Sequence, residues 1–334
     1  MSRFQLRRDR LRRSLKSTGA AAFLVTDFTN VTYLTGFSGD DSFLLILPDK
    51  EVMLSDPRYT TQLEEECPGL DLEIRSPGTA MFESIRKTLE KSRQTSVGFE
   101  SGAMTVQMHR RLTEEIPKVD WIACNGHVEN LRMVKDREEI RAIRKAVDIA
   151  QRAFAVARCG LRGTETEQAV AHGLENQIRL FGGRGCSFPP IVACGPRAAL
   201  PHASPSSVVM QSHGLLLIDW GADEPGGYKS DLTRVLVTGK ISPKLERVYR
   251  LVLKAQQRAI DSIRPGVQCS AVDHVARKVI DRGGFGKFFG HGLGHGIGLD
   301  IHEGPRLSGG CDQPLKAGMV VTVEPGIYLP GVGG

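Results

Sequence analysis

Three histidines lie in the glycine-rich segment GHGLGHGIGLDIHEGP, which runs from Gly290 to Pro305. Its first nine residues contain five alternating glycines, which argue against a helix because each costs about 1 kcal/mol relative to alanine. As a strand, the segment places His291, Leu293, His295 and Ile297 on one face and glycine on the other, where a backbone, a ligand or an ion can approach closely. A single histidine is more often a hydrogen-bonded core residue, so these histidines need partners elsewhere in the chain.

Two aspartates lie on either side of a predicted hairpin turn in LLLIDWGADEPGGYKSDLTRVLV. Two apolar runs flank DEPGG, a composition typical of turns. If the turn centres on Pro225, Asp219 faces Asp231 with Cβ atoms about 4.5–5.5 Å apart. Carboxylates this close repel each other unless they share a proton or a cation. The alternatives are a solvated hairpin whose register is shifted by one residue and a proton-sharing pair of the aspartic-protease kind.

A third carboxylate favours a metal site. Glu324 ends the β-branched run MVVTVE, just before a Pro-Gly turn. Two aspartates, one glutamate and a histidine form an oxygen-rich donor set that suits Mn, Co, Fe or Zn in a hydrolytic site. A proton-sharing pair would leave the histidines unexplained, and the matched Asp-Thr-Gly loops of aspartic proteases are missing.

The elements that must position these residues divide into two predicted domains, because 334 residues exceed what one hydrophobic core usually supports. The first part contains the β-rich runs AAFLVT, NVTYLTGF, SFLLILP and EVMLS, with helical stretches near 79–91 and 103–115. This pattern predicts a small α/β domain over residues 1–130. The second domain is predicted over residues 131–334.

Helix signals open each half of the second domain. Asp136, followed three residues later by Glu139, predicts a capping box at the start of a long helix. A second helix and several strands follow it. The same order returns about a hundred residues later, beginning with a helix over 243–262. Two helices followed by β-structure, repeated, predict a pseudo-symmetric α+β domain with its site between the halves.

Charge and cysteine content limit the partners and the setting. The net charge is +6, and the first sixteen residues hold seven Lys/Arg and one acidic residue. Because Phe4, Leu11 and Leu15 share a helical stripe, we interpret this segment as an amphipathic helix with its arginines on a solvated face or a subunit contact, and we expect no nucleic-acid partner. No signal peptide or membrane span is predicted. Seven cysteines, scattered and without a Cys-x-x-Cys pair, favour a cytoplasmic setting.

Four motifs occur in order along the second domain: SFPPIVACGPRAALPHASP, LLIDWGADEPGGYKSDLTRVL, FGHGLGHGIGLDIHEGP and GMVVTVEPGIYLPGVGG. Together they resemble the successive motifs of the metallopeptidase family that includes aminopeptidase P, prolidase and methionine aminopeptidase. NVTYLTGFSGDDSFLLILPD and LSDPRY are similar to the extra domain of the aminopeptidase P and prolidase branch. The resemblance implies a pita-bread catalytic domain preceded by a creatinase-type, ribonuclease H-like α/β domain.

The same resemblance implies a role for each candidate residue. Asp219 would bind one divalent ion, Asp231 would bridge two ions, and His295 and Glu324 would bind the other. Mn is the favoured ion, with Co, Zn or Fe as alternatives. Glu324 is also the expected proton acceptor.

Three further histidines are matched to substrate contacts. His291 and His302 correspond to positions that contact the substrate and stabilise the tetrahedral intermediate. His202, in LPHA, matches a histidine beside the proline-binding pocket. The implied activity of this predicted homodimer is release of the N-terminal residue from peptides whose second residue is proline.

The resemblance also shows where this chain departs from the family and which alternative functions follow. In the family, GVGG continues into a strand whose glutamate bridges both ions and whose arginine helps to close the site, whereas this chain stops at Gly334. Residues 131–334 are therefore expected to lack the last strands of the domain, and we interpret the chain as a piece of a longer active protein rather than a weak or mononuclear enzyme. The alternatives are a metal-independent, creatinase-like amidinohydrolase and a non-catalytic member that binds peptides.

Overall fold

The structure is a computed structural model that describes residues 2–334, apart from the side chain of Ser212. The chain divides into two compact units, with Arg132 as the last residue of the first and Met133 as the first residue of the second. The helices of the first unit are α1 (Arg3–Leu15), α2 (Phe28–Thr35), α3 (Thr60–Glu66), α4 (Met81–Ser92), α5 (Val106–Glu115) and α6 (His127–Arg132). Its strands are β1 (Ala22–Val25), β2 (Phe43–Ile46), β3 (Glu51–Ser55), β4 (Asp71–Ile74), β5 (Ser96–Glu100) and β6 (Asp120–Cys124).

Residues 2–132 form a six-stranded mixed sheet in the order β4-β3-β2-β1-β5-β6. The central strand β1 is antiparallel to β2 and parallel to β5. All four residues of β1 are buried, as expected for a short apolar run that is covered on both faces. The predicted strands AAFLVT, SFLLILP and EVMLS are confirmed as β1, β2 and β3, and the two predicted helical stretches are confirmed as α4 and α5.

The prediction of a strand at NVTYLTGF is wrong, because most of this segment lies in α2. The side chain of Asp27 caps the helix by accepting a hydrogen bond from the backbone N–H of Asn30 at 2.9 Å. The helix ends at Gly36, whose φ of +88° is left-handed. A cap and a glycine stop therefore outweigh the β-branched and aromatic composition that favoured a strand.

The predicted first helix is confirmed as α1, but the expected position of its arginines is wrong in part. Leu11 and Leu15 are buried as predicted, yet Arg7 and Arg8 are also buried, with exposed fractions of 3% and 6%. Each donates a hydrogen bond of 2.9 Å to a carbonyl oxygen in the last turn of α2. Carbonyls at a helix C-terminus lack intrahelical partners and attract cations, so these arginines stabilise α2 from inside the unit.

The second unit repeats one order of elements. Its helices are α7 (Arg137–Gly160), α8 (Glu167–Leu180), α9 (Pro243–Ser262) and α10 (Cys269–Arg282). Its strands are β7 (Gly185–Cys186), β8 (Ile191–Cys194), β9 (Leu215–Trp220), β10 (Ala222–Asp223), β11 (Leu232–Val237), β12 (Gly294–Gly296) and β13 (Glu303–Leu307). Two helices followed by strands therefore occur twice, as predicted, and the capping box of Asp136 and Glu139 is present. Among residues 2–334, no helix is both long and apolar enough to cross a bilayer.

Three small sheets carry the chemistry-bearing segments of this unit. The pairing orders are β11-β9-β8, β10-β7 and β12-β13, all antiparallel. Trp220 fixes β9 to α7, because its indole N–H donates to the carbonyl of Ala150 at 3.0 Å and its ring stacks on Phe154 at 4.4 Å between centroids. A buried aromatic pair with a satisfied N–H anchors the strand that carries Asp219.

Candidate metal centre

The carboxylate hairpin consists of β9 and β11, which pair in one continuous antiparallel register. Asp219 lies opposite Thr233, so the prediction that Asp219 faces Asp231 directly is wrong by two residues. Because side chains alternate with a period of two, a shift of two residues preserves the face, and the solvated alternative shifted by one residue is excluded. Asp231, immediately before β11, is a diagonal neighbour of Asp219 on the same face, close enough for its charge to raise the pKa of Asp219.

The turn between the strands explains the shift. The N–H of Glu224 donates to the carbonyl of Tyr228 at 3.0 Å, and the N–H of Gly227 donates to the carbonyl of Glu224 at 2.8 Å. Gly227 has a left-handed φ of +88°. This is a three-residue turn with glycine in its last position, and it centres the hairpin on Gly226 instead of Pro225.

The histidine segment is a much shorter strand than predicted. Only Gly294–Gly296 forms β12, and the register shifts between His295 and Gly296. The predicted close approach to the glycine face is confirmed. A Cβ on Gly294 would lie 2.1 Å from the carbonyl oxygen of Thr322, and one on Gly296 would lie 2.0 Å from that of Gly304. The groups that approach are neighbouring backbones, so glycine is required for packing.

Glu324 reaches the same face through backbone pairing with this segment. The N–H of Thr322 donates to the carbonyl of His295, and the N–H of Glu324 donates to the carbonyl of Leu293, both at 2.8 Å. His295 is opposite Thr322, which makes Glu324 its diagonal neighbour. The hydroxyl of Thr322 accepts from the backbone N–H of His295 at 3.0 Å and donates to the carboxylate of Glu324 at 2.7 Å. The threonine therefore fixes the two candidate ligands relative to each other.

The two segments converge on His295. Its Nε2 lies 3.4 Å from Oδ2 of Asp231 and 3.1 Å from Oε1 of Glu324. One ligand atom from each of these three residues lies within 4.8 Å of the others. Nδ1 of His295 is 2.9 Å from the carbonyl oxygen of Gly296 and must donate to it, because a carbonyl only accepts. This bond to the backbone directs Nε2 towards the carboxylates, where it can bind a metal ion.

The pKa values of Asp219 and His295 indicate that the cluster holds more negative than positive charge. Burial and then the charge of Asp231 raise the pKa of Asp219 to about 8. Burial lowers the pKa of His295, but its hydrogen bonds to Asp231 and Glu324 outweigh burial and raise that pKa to about 10. Burial opposes the charge of Glu324 too, yet hydrogen bonds from His295 and Thr322 hold the pKa of Glu324 below its usual value. Without a metal ion these pKa shifts favour protonation of the cluster, and the oxygen-rich donor set with one imidazole fits a divalent ion.

The other three predicted histidines have different surroundings. Nε2 of His291 lies 3.1 Å from the hydroxyl of Tyr328, and the charge of His291 contributes to the lowered pKa of Glu324. His302 is exposed, with its ring 4.5 Å from that of His295. His202 is exposed in the turn after the short 3₁₀ helix Gly195–Ala199, and no described contact joins it to the cluster. The structure thus brings the candidate ligands together, with His291 and His302 beside them.

Sequence reasoning missed three residues at the centre. Thr233 donates to Oδ1 of Asp219 at 3.0 Å, in the same way that Thr322 donates to Glu324. Tyr328 is largely buried, and burial followed by the charges of Glu324 and Asp219 raises its pKa to about 12. The correct hairpin register would have indicated Thr233. Tyr328 follows Glu324 by four residues beyond a Pro-Gly turn, and no pattern in the sequence indicates that it returns to the site.

Known proteins resemble this chain over nearly all of its length. Residues 141–334 match the metallopeptidase family M24, and residues 7–134 match the creatinase/prolidase N-terminal domain. A Bacillus subtilis protein named uncharacterized peptidase YqhT is 36% identical over 98% of this chain and 92% of its own length. The solved structure of an Xaa-Pro dipeptidase from Bacillus anthracis has a TM-score of 0.95 at 34% identity, covering 99% of this chain and 92% of that one. The structure of an X-Pro aminopeptidase from Thermotoga maritima has a TM-score of 0.87 at 36% identity, covering 96% and 92%.

The chain belongs to metallopeptidase family M24. Within that family it is a member that carries the creatinase/prolidase N-terminal domain. The predicted fold, an α/β domain followed by the α+β catalytic domain of the prolidases, is confirmed. The protein is a peptidase, and family membership implies divalent metal ions, for which Asp231, His295 and Glu324 form a compatible donor set.

Proposed function

We propose that the protein is a metal-dependent exopeptidase that releases the N-terminal residue from peptides with proline in the second position. The observation that carries this proposal is the convergence of Asp231, His295 and Glu324 within 4.8 Å, with Asp219 as the diagonal neighbour of Asp231 on the same face. Similarity to an Xaa-Pro dipeptidase and an X-Pro aminopeptidase supports the choice of substrate. The substrate is a peptide, and neither nucleic acid nor a membrane is a proposed partner.

Four residues are the proposed ligands of two divalent ions. Asp219 and Asp231 would hold one ion, and Asp231, His295 and Glu324 would hold the other. Mn is the proposed native ion because most donors are carboxylates, with Co, Zn and Fe as alternatives to test. Divalent ions bound here would supply a nucleophilic water at neutral pH and polarise the scissile carbonyl.

The remaining proposed roles belong to groups beside these ligands. Glu324 is the proposed proton acceptor, because its lowered pKa keeps the carboxylate ionised at neutral pH and the carboxylate lies at the cluster. Partial loss of solvation and then the charge of His295 lower the pKa of His302, which favours a neutral imidazole that can donate one hydrogen bond to the developing oxyanion. His291 is the proposed donor to the leaving amine, and His202 is assigned to the proline pocket by resemblance.

Domain bounds, oligomeric state and cellular compartment are further parts of the proposed function. The creatinase-type domain is assigned to residues 1–130 and the pita-bread domain to residues 131–334, and the active form is proposed to be a homodimer. All seven cysteines are free in the structure, which supports a reducing, cytoplasmic setting.

The test is metal-dependent hydrolysis measured on the purified protein. After treatment with a chelator, the protein is supplied separately with Mn, Co, Zn or Fe and assayed with Ala-Pro, Gly-Pro and Ala-Pro-Ala. We expect no turnover without metal and the highest rate with Mn. Creatine serves as the substrate for the amidinohydrolase alternative, and its turnover by the metal-free protein would contradict the proposal.

A matched pair of variants separates the site from the rest of the unit. Asp231→Asn removes a proposed ligand, whereas Asp148→Asn changes an exposed carboxylate on α7 that pairs with Arg152. We expect Asp148→Asn to keep full activity and Asp231→Asn to lose it. Equal activity of the two variants would exclude this site, and peptide binding without turnover in the metal-loaded wild type would favour the non-catalytic alternative.

A further inference from the structure

An ion pair on α10, between a buried aspartate and a half-buried arginine, makes direct contact with the segment that carries the histidines. Asp273 is 2% exposed, and its two carboxylate oxygens accept from Nε and Nη2 of Arg277 at 3.0 Å each. The two residues are one helical turn apart, which allows this bidentate geometry. The hydrogen bond to Asp273 also raises the pKa of Arg277 above its usual value, so the guanidinium stays charged.

The remaining bonds of this pair go to the backbone of residues 289–295, here called the Gly-His segment. Nη1 of Arg277 donates to the carbonyl of Phe289 at 3.0 Å, and Nη2 donates to the carbonyl of His291 at 2.8 Å. Oδ1 of Asp273 accepts from the N–H of Leu293 at 3.0 Å. Three alternate residues of the segment are therefore held by two side chains.

Ring contacts reinforce the same attachment. The guanidinium of Arg277 lies over the ring of Phe289 at 4.2 Å from its centroid, and the edge of that ring meets His291 at 5.2 Å between centroids. Phe289 is buried, whereas the Arg277 side chain is half-buried, so the contact is partly shielded from solvent. His291 is thus fixed on its backbone side by Arg277 and on its ring side by Phe289.

The hydrogen bonds of the Gly-His segment also connect Asp273 to the candidate ligands. The carbonyl of Leu293, whose N–H is held by Asp273, accepts from the N–H of Glu324 at 2.8 Å. His295 follows Leu293 by two residues, with only Gly294 between them. Regular strand pairing of this segment begins at Gly294, so residues 289–292 lie outside the ladder.

We propose that Asp273 and Arg277 are positioning residues of the catalytic site, which hold the Gly-His segment so that His291, His295 and Glu324 meet in register. The inference rests on the proposed metal centre and adds two residues outside the proposed ligand set. Outer groups that orient ligands typically change metal affinity or activity by about 10–100-fold when they are removed. A pair that only stabilised the fold would leave the metal affinity of the folded protein unchanged.

The experiment compares Arg277→Met, Arg277→Lys and Asp273→Asn with wild type. Mn binding to the chelator-treated protein is measured by calorimetric titration, and kcat and KM for Ala-Pro are measured at saturating Mn. We expect Arg277→Met to bind Mn about 10–100-fold more weakly and to lose kcat with little change in KM. Arg277→Lys keeps the charge and one donor, so partial rescue of both quantities is expected. Asp273→Asn keeps the acceptor for Leu293 but loses the charge, and should also lie between Arg277→Met and wild type.

Arg250→Met is the matched control, because Arg250 pairs with Glu246 in the same i,i+4 geometry on α9, where both side chains are exposed. It should match wild type in every measurement. Wild-type Mn affinity and kcat in folded Arg277→Met would overturn the proposal. If Arg277→Met fails to fold, the same values in folded Arg277→Lys and Asp273→Asn would overturn it. Mn titration does not depend on the substrate. A wild-type protein that binds Mn but cleaves no Xaa-Pro peptide would therefore contradict the proposed function. The positioning role would then be judged by Mn affinity alone.

Discussion

The two halves of the candidate centre position their ligands by different means. The carboxylate hairpin pairs six consecutive residues of β9 and β11 in one register. The histidine half has the three-residue strand β12, a register shift and a few backbone bonds to the extended segment 320–324. Both halves use diagonal neighbours on one face and a threonine that donates to a carboxylate, Thr233 to Asp219 and Thr322 to Glu324.

This difference shows what a catalytic segment needs when its own backbone pairing is short. A continuous ladder fixes the aspartates through main-chain bonds, so the carboxylate side chains need little further support. Glycines in the histidine half allow backbones to approach closely but add conformational entropy to the unfolded chain. Side chains from other elements, Thr322 and the pair on α10, supply the order that the ladder does not.

The largest effect is expected where the two halves meet. Asp231→Asn replaces an anion that faces His295 with a neutral amide, and we expect loss of at least one metal ion and a fall in activity of more than about 10³-fold, above the cost of removing one transition-state donor. His295→Ala should behave in the same way. Metal analysis after dialysis, with circular dichroism to verify the fold, measures this, and wild-type stoichiometry in Asp231→Asn would contradict the ligand assignment.

A smaller loss, confined to turnover, is expected for His302→Ala. The side chain is exposed beside His295, and its proposed role is to donate to charge that develops during the reaction. Removal of one such donor costs about 10²–10³ in kcat. Metal content should stay at the wild-type value. Loss of metal together with activity would instead make His302 part of the ligand set.

Thr322 and Thr233 show how much each half of the centre depends on side-chain support. Thr322→Val removes an acceptor for His295 and a donor to Glu324, whereas Thr233→Val removes one exposed donor beside a continuous ladder. A hydrogen bond to a charged group contributes about 1.5–3 kcal/mol when shielded and less when exposed. We expect Mn affinity to fall about tenfold in Thr322→Val and only a few-fold in Thr233→Val. Equal losses would mean that both halves depend on side chains to the same degree.

The smallest effect is a pH dependence of the metal-free protein. The folded pKa of Asp219 is about 8 against an ordinary aspartate value of 3.8, so the folded state binds a proton that the unfolded state releases. The resulting stability is full below about pH 4 and is lost as the pH rises towards 8. His295, with a pKa raised to about 10, acts in the same direction above pH 6.5. Asp219→Asn should therefore reduce the fall in melting temperature between pH 5 and pH 7 in chelator, where 1 kcal/mol corresponds to roughly 2–4 °C. An unchanged fall would contradict the raised pKa of Asp219.

Much of the centre could be predicted because its residue types are restrictive. Asp219, Asp231, His295 and Glu324 were proposed together from donor chemistry and resemblance, and the two-residue error in the hairpin did no harm because it preserved the face. Helix starts with a capping signal, such as Asp136, were also predictable. The strand prediction at residues 30–37 failed because a short buried helix can have the same β-branched and aromatic composition as a strand.

The supporting residues could not be predicted, for a common physical reason. Arg7, Arg8, Arg277 and Asp273 bond to backbone atoms of distant segments. Every residue has a carbonyl and almost every residue has an N–H, so no residue type in the partner segment indicates such a contact. Charged residues on an amphipathic helix are usually solvated, and only the fold reveals which of them are buried.

Anomalous diffraction from crystals of the Mn-loaded protein tests the central assignment most directly. We expect one peak bound by Asp231 Oδ, His295 Nε2 and Glu324 Oε, and a second peak between Asp219 and Asp231, about 3.5–4 Å from the first. A first peak without the second would remove Asp219 from the ligand set but keep the other three residues. Mn bound elsewhere, or no ordered Mn beside His295 at saturating concentration, would contradict the metal centre and the peptidase mechanism proposed for it.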